Sequence, residues 1–169
     1  MYIVGCNAPK KSFDSIEPNI LLANTDSLMK AYPDNTELVS AIVDARLMLA
    51  GNDFAQYKKI LIIDPNHSIA KYHIYMDEGK NHHKKGHKNG QWDAIQAFSK
   101  AAALIDSLGE PYYWIAKAYE KKDEMDFELA LESYDMALKL YLPEKTRPIV
   151  ISKRNDLIKR KETFDDFWK

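Results

Sequence analysis

The chain has 169 residues, with 24 basic and 25 acidic side chains and a formal net charge of −1. That balance excludes a broad cationic field for nucleic acid or an anionic membrane, and 46% hydrophobic residues exclude a disordered polymer. A single cysteine excludes an intramolecular disulfide and a cysteine-based zinc site, and no apolar run reaches the length of about 18 residues that a transmembrane helix needs.

The first residues are unusual. Met1-Tyr2-Ile3-Val4-Gly5-Cys6 is almost wholly apolar, and Asn7-Ala8-Pro9-Lys10-Lys11-Ser12 follows as a polar tether. Ile3-Val4-Gly5-Cys6 resembles a bacterial lipobox, in which the cysteine is acylated and becomes the mature N-terminus. Five residues precede Cys6 and none is basic, so the n-region and long h-region of a secretory signal are not both present. The expectation is a lipid anchor at Cys6 in a bacterial cell envelope. The alternative is a soluble cytoplasmic protein with a free thiol.

Beyond the tether, apolar residues recur at three and four, the spacing of a helix face. The run Ile60-Leu61-Ile62-Ile63 is the best strand-like stretch, and it sits between helical spacing and a turn. Eight stripes follow in order. Ile20, Leu21, Leu28, Met29 and Tyr32 share one helix ended by Pro33-Asp34-Asn35. Leu38, Ala41, Ile42, Ala45, Met48 and Leu49 form the next. Phe54, Tyr57 and Leu61 form a third, with Ile60 as a further candidate, ended by Asp64-Pro65-Asn66. Tyr72, Tyr75, Met76 and Gly79 begin a fourth, with an insertion around Asn81–Asn89. Trp92, Ile95, Phe98, Ala102 and Ile105 make a fifth, and Tyr112, Ile115, Ala116 and Tyr119 a sixth. Phe127, Ala130, Leu131, Tyr134, Ala137 and Leu138 make a seventh, ended by Pro143. Ile151, Leu157, Ile158 and Phe164 make the eighth. Short helices joined by short turns predict antiparallel hairpins.

The hairpins repeat. An aromatic recurs after the inner turn at Phe54, Trp92 and Phe127, and a small residue recurs at Ala45, Gly79 and Ala116, for a period of about 34 plus small insertions. Tyr112-x-x-Ile115-Ala116-x-x-Tyr119, followed by Ala130, Tyr134 and Ala137, is similar to the tetratricopeptide repeat. In that register Asp44 and Glu78 stand where the family has a buried leucine. The small residues let paired helices approach closely, and the aromatics fill the spaces between neighbouring hairpins. The resemblance implies an all-α fold: a short right-handed superhelix, or α-α solenoid, of about three helix-turn-helix repeats with flanking helices at each end. The expected layout is tether 1–16, repeats 17–143, and closing helix with aromatic tail 144–169.

No P-loop, dinucleotide fingerprint, nucleophile elbow or zincin motif is present, so the reading is non-catalytic and without cofactor. His82-His83-x-x-x-His87 is the one ligand-like cluster; among Lys84, Lys85 and Lys88 it reads as a solvated loop, with a metal-binding accessory module as the alternative. Asp123-Glu124-x-Asp126 and Asp165-Asp166 lack the spacing of a calcium loop and read as helix-end caps. The charges separate along the chain. Between Asp106 and Asp135 nine acids face three lysines, and between Glu144 and Lys161 seven basic residues face two acids. The basic stretch reads as a solvated closing helix, and nucleic-acid binding is not expected.

The resemblance also implies where a partner binds: the groove lined by the first helix of each pair. Carried over by position, that face presents Arg46, Lys80 and Lys117, with Lys84 and Lys121 one turn on and Tyr113 beside them. Such a ladder favours an acidic peptide or a free carboxylate. The asparagines of the family's carboxylate clamp are not in register, so chaperone-tail recognition is not implied. The expected role is a protein-interaction scaffold. If anchored, it assists assembly of envelope complexes; otherwise it is a cytoplasmic adaptor or chaperone-like protein.

Overall fold

The computed structural model describes residues 13–51, 53–86, 88–122 and 127–168. Cys6 with its lipobox and tether, His87 and the Asp123–Asp126 carboxylates lie outside the described residues. Among the described residues the protein is all helical, and its one β feature is an isolated bridge between Leu108 and Tyr141. No helix among them is long and apolar enough to cross a membrane. The strand-like run at Ile60–Ile63 is helical. The chain divides into two compact units, Met1–Pro65 and Asn66–Lys169.

The first unit holds a 3-10 turn at Phe13–Ser15 and four helices: α1 (Pro18–Ala23), α2 (Thr25–Ala31), α3 (Thr36–Ala50) and α4 (Phe54–Ile63). The single helix expected through Ile20–Tyr32 is two. Its break is chemical: Asn24 Nδ2 donates to the Ile20 carbonyl at 2.8 Å, and Thr25 Oγ1 to the Leu22 carbonyl at 3.1 Å. These side chains compete with the next turn of backbone for the same acceptors. Asn35 caps α3 by accepting from Leu38 N at 2.9 Å, and Asp53 caps α4 by accepting from Ala55 N at 3.0 Å. Phe13, Leu21, Leu38, Ala41, Ile42 and Ala45 form the core. The second stripe is corrected at its end, where Met48 and Leu49 are exposed; in α4 Tyr57 and the further candidate Ile60 are buried, and Leu61 is only partly so.

The second unit holds α5 (Ser68–Lys85), α6 (Lys88–Leu104), α7 (Glu110–Lys122), α8 (Phe127–Lys139) and α9 (Arg147–Phe167). Each helix packs on the next in sequence, and α5 also touches α7. The expected close approach at Gly79 is real: a Cβ there would overlap the ring of Phe98 from α6. Ala116 is fully buried beside Tyr134 in the equivalent place on the next pair. Asp44 and Glu78 are exposed and Ile115 is buried, so of these three positions aligned in the sequence only Ile115 lies in the core.

The stripe assigned to α6 misplaces Trp92, which is 48% exposed and lies under the Lys122 ammonium. Because α6 is covered by α5 on one side and α7 on the other, its buried arc is wide and runs through Gln91, Ala94, Ala97, Phe98 and Ala101. On α9 the buried residues are Val150 and Leu157, with Ile151 42% exposed. His82 and His83 lie in the last turns of α5, which closes at Gly86 with φ +82°, so they are helical rather than in a loop.

Candidate functional site

The α9 helix organises the site. Residues seven apart are about 20° out of line on a helix and share a stripe. Val150, Leu157 and Phe164 make an apolar stripe that joins the core built from Ala116, Phe127, Ala130 and Tyr134. A basic stripe runs on each side of it, about 60° away.

The first stripe is Arg147, Arg154 and Lys161. Arg147 donates to the carbonyls of Leu138 and Leu140, each at 3.1 Å, and so satisfies the open end of α8. Arg154 pairs with Asp135 and Lys161 with Glu128. These contacts bring the basic end of the sequence onto its acidic stretch, and the charges neutralise.

The second stripe is Lys153 and Arg160, and it faces a different surrounding. With His83 of α5, Lys117, Glu120 and Lys121 of α7 and Tyr134 of α8, it lines a cleft of about 550 Å³. Four permanent cations therefore surround one carboxylate, and that carboxylate is engaged. Glu120 accepts from the Tyr134 hydroxyl and from Arg160 Nη1, the latter at 2.9 Å. Among the described residues neither Lys117 nor Lys153 has an ion-pair partner.

An aromatic and polar wall fixes the cations. Trp114 stacks on Phe98 at 5.8 Å between ring centroids, and the Lys117 ammonium sits 4.0 Å over its ring. Tyr113 lies against both Trp114 and Tyr134. His83 packs edge-on to Trp114, and its Nδ1 is 2.7 Å from Gln91 Oε1. Lys121 Nζ donates to the His83 carbonyl at 2.9 Å, closing the C-terminal end of α5.

The electrostatics carry the mark of crowded positive charge. Burial lowers the pKa of Lys117, and the nearby Lys153 and Lys121 lower it further against the opposing pull of Glu120. Burial also lowers that of His83, with Lys121 and Lys117 adding to the effect and the Gln91 hydrogen bond opposing it. Tyr134 is pushed far up by burial and by its bond to Glu120, so it remains a phenol.

Of the residues expected in a groove, Lys117 and Lys121 line this cleft and Tyr113 backs it. Lys80 is 2.9 Å from Glu110 and 5.4 Å from the Trp114 ring centre. Lys84 is exposed on α5. Arg46 belongs to the other unit, is 9% exposed, and donates to Gln56 Oε1 at 3.0 Å. Lys153, Arg160 and His83 fall outside the expected groove set; the seven-residue spacing of 153 and 160 beside 150 and 157 is the signal that finds the first two. His82 lies 3.8 Å from Asp93, and no group of ligands that could hold a metal occurs among the described residues. Compared with known proteins, the chain matches no family model and no curated sequence.

Proposed function

We propose that the protein is a non-catalytic interaction scaffold of the tetratricopeptide type, and that it holds an acidic segment of a protein partner in the cleft between α5, α7 and α9. The observation that carries this is the surplus of cations there: Lys117, Lys121, Lys153 and Arg160 around a single, already engaged Glu120. A partner carboxylate gains two ammonium groups that have no ion-pair partner among the described residues, Lys117 half-buried and Lys153 exposed in an open cleft, so the attraction is strong at low salt and screened at high salt. The cations and the imidazole of the cleft come from α5, α7 and α9, alternate helices of the chain as the first helices of successive pairs would be, and α8 adds Tyr134. The hairpins α5/α6 and α7/α8 are then the second and third of the expected three repeats, α3/α4 the first, and α9 the closing helix.

The test is fluorescence anisotropy with a labelled peptide rich in glutamate, against a lysine-rich control of equal length. The acidic probe binds, weakens with added salt, and the basic control does not bind. Equal binding of both probes contradicts the proposal.

The lipobox-like segment adds anchoring at Cys6 in a bacterial envelope to this reading. Intact mass of protein recovered from membranes tests it: a diacylglyceryl adduct on Cys6 is expected, and an unmodified Cys6 behind a retained Met1 contradicts it.

A further inference from the structure

Arg46 stands near the end of α3, nine-tenths buried. Its Nη1 donates to Gln56, but its Nε is buried with no hydrogen-bond partner among the described residues. No carboxylate among them lies within ion-pair distance of it. The nearest charge in its hydrogen-bond chain is one amide removed: Gln56 Nε2 donates to Asp53 Oδ2 at 3.2 Å, and Asp53 is committed to capping α4. A buried guanidinium with one neutral acceptor is an unusual arrangement, because removing a charge from water is normally offset by a counter-charge.

The same side chain lines a cavity of about 480 Å³ within the first unit, a volume in the range of small-ligand sites. One wall is aliphatic, built from Leu22, Met29, Ile62 and Ile63. Ile62 is 80% exposed, an extended apolar surface at the cavity. Lys59 adds a second cation to the lining and Asp26 an acid. The cavity thus pairs a buried cation that has no carboxylate within ion-pair distance among the described residues with an aliphatic wall that is packed on the core at Leu22, Met29 and Ile63 and open to solvent at Ile62.

We infer that this cavity binds an aliphatic carboxylate, with the head group on Arg46 and Lys59 and the alkyl chain along Ile62, Ile63 and Met29. Two sources supply that chemistry: a free medium-chain fatty acid, and the C-terminal carboxylate of a peptide ending in an aliphatic residue. The site is separate from the cleft of the second unit and does not depend on the role proposed for that cleft.

Octanoate, octanol and acetate are titrated into the full chain by calorimetry, below the micellar concentration, with thermal unfolding followed in parallel. Octanoate binds and raises the unfolding midpoint; octanol and acetate, each lacking one half of the chemistry, bind at least about tenfold more weakly. Arg46→Met loses octanoate binding by a similar factor, while its midpoint without ligand is unchanged or higher, because an uncompensated buried charge has been replaced by an apolar chain. Lys59→Glu, at an exposed position, weakens binding as a second variant should the first not fold. No binding of octanoate, equal binding of octanol, or undiminished binding by both variants overturns the inference. A peptide with a free C-terminal leucine, compared with its amidated form, identifies the source: tighter binding than octanoate that is lost on amidation assigns a peptide terminus, and anything weaker assigns the free acid.

Discussion

The two basic stripes of α9 are composed alike and placed unlike. Arg147, Arg154 and Lys161 meet carbonyls and carboxylates of α8 and its end. Lys153 and Arg160 lie on the other side of the apolar stripe and meet Lys117, Lys121, His83 and a single carboxylate, Glu120, to which Arg160 donates. The near-zero net charge of the chain is therefore not evenly spread: the acids are used on one side of α9 and the surplus cations collect on the other. Charge of one sign held together costs stability, and a site that keeps such charge is suited to an external anion.

The largest expected effect comes from removing the stripe that both sides share. Leu157 is 1% exposed. Leu157→Ala leaves a cavity under α9 and costs about 2–5 kcal/mol, read by denaturant unfolding. It also weakens acidic-probe binding, because the cleft loses the helix that carries Lys153 and Arg160. Unfolding that stays within roughly 0.5 kcal/mol, the scatter of surface substitutions, would mean that α9 is not held by this seam.

The next test separates the two sides. Lys117→Glu with Lys153→Glu reverses the unpaired cations and weakens the acidic probe at least about tenfold. Folding stability changes by less than about 1 kcal/mol, since new attraction to Lys121 and Arg160 offsets the lost Trp114 contact and the new repulsion from Glu120. Arg154→Glu on the paired side does the opposite: it places two acids together at Asp135 and lowers stability by about 1 kcal/mol, while probe binding changes less than about twofold. Equal binding losses for the two sides would erase the distinction between them.

The smallest effect is a pH dependence. The folded pKa of His83 lies below its ordinary value of about 6.5, so the unfolded chain takes up the proton first. Its contribution to stability is complete above that value and is lost as pH falls toward the folded pKa. His73, lowered mainly by burial, acts in the same direction. Denaturant unfolding at pH 7.5 and 5.5 measures the combined loss, and His83→Gln removes part of it. Acidic-probe affinity moves the other way and strengthens at the lower pH, because a protonated His83 joins Lys117, Lys121, Lys153 and Arg160.

Much of the helical architecture is legible in residue spacing. The ends of α4 and α8 are marked by prolines soon after them, and Gly79 and Ala116 are the small positions that paired helices need. Spacing names an apolar stripe, but the neighbours decide how wide it is. Trp92 is excluded from the core of α6 because alanines at 94, 97 and 101 pack there on both sides. The split at Asn24 turns on two side chains reaching back to carbonyls, which hydrophobic periodicity does not register. The cleft is half legible. Lys117 and Lys121 follow from their place on a first helix. Lys153 and Arg160 do not, because a basic helix reads the same whether its cations meet acids, water or other cations.

The most direct test is to follow backbone amide and histidine side-chain NMR signals of the full chain while the glutamate-rich peptide is added. The account predicts that the largest shifts fall at His83, Trp114, Lys117, Lys121, Lys153 and Arg160, with the Arg154 and Lys161 side left nearly unmoved. Shifts centred on Arg154 and Lys161, or a titration that moves none of the cleft residues, would contradict it.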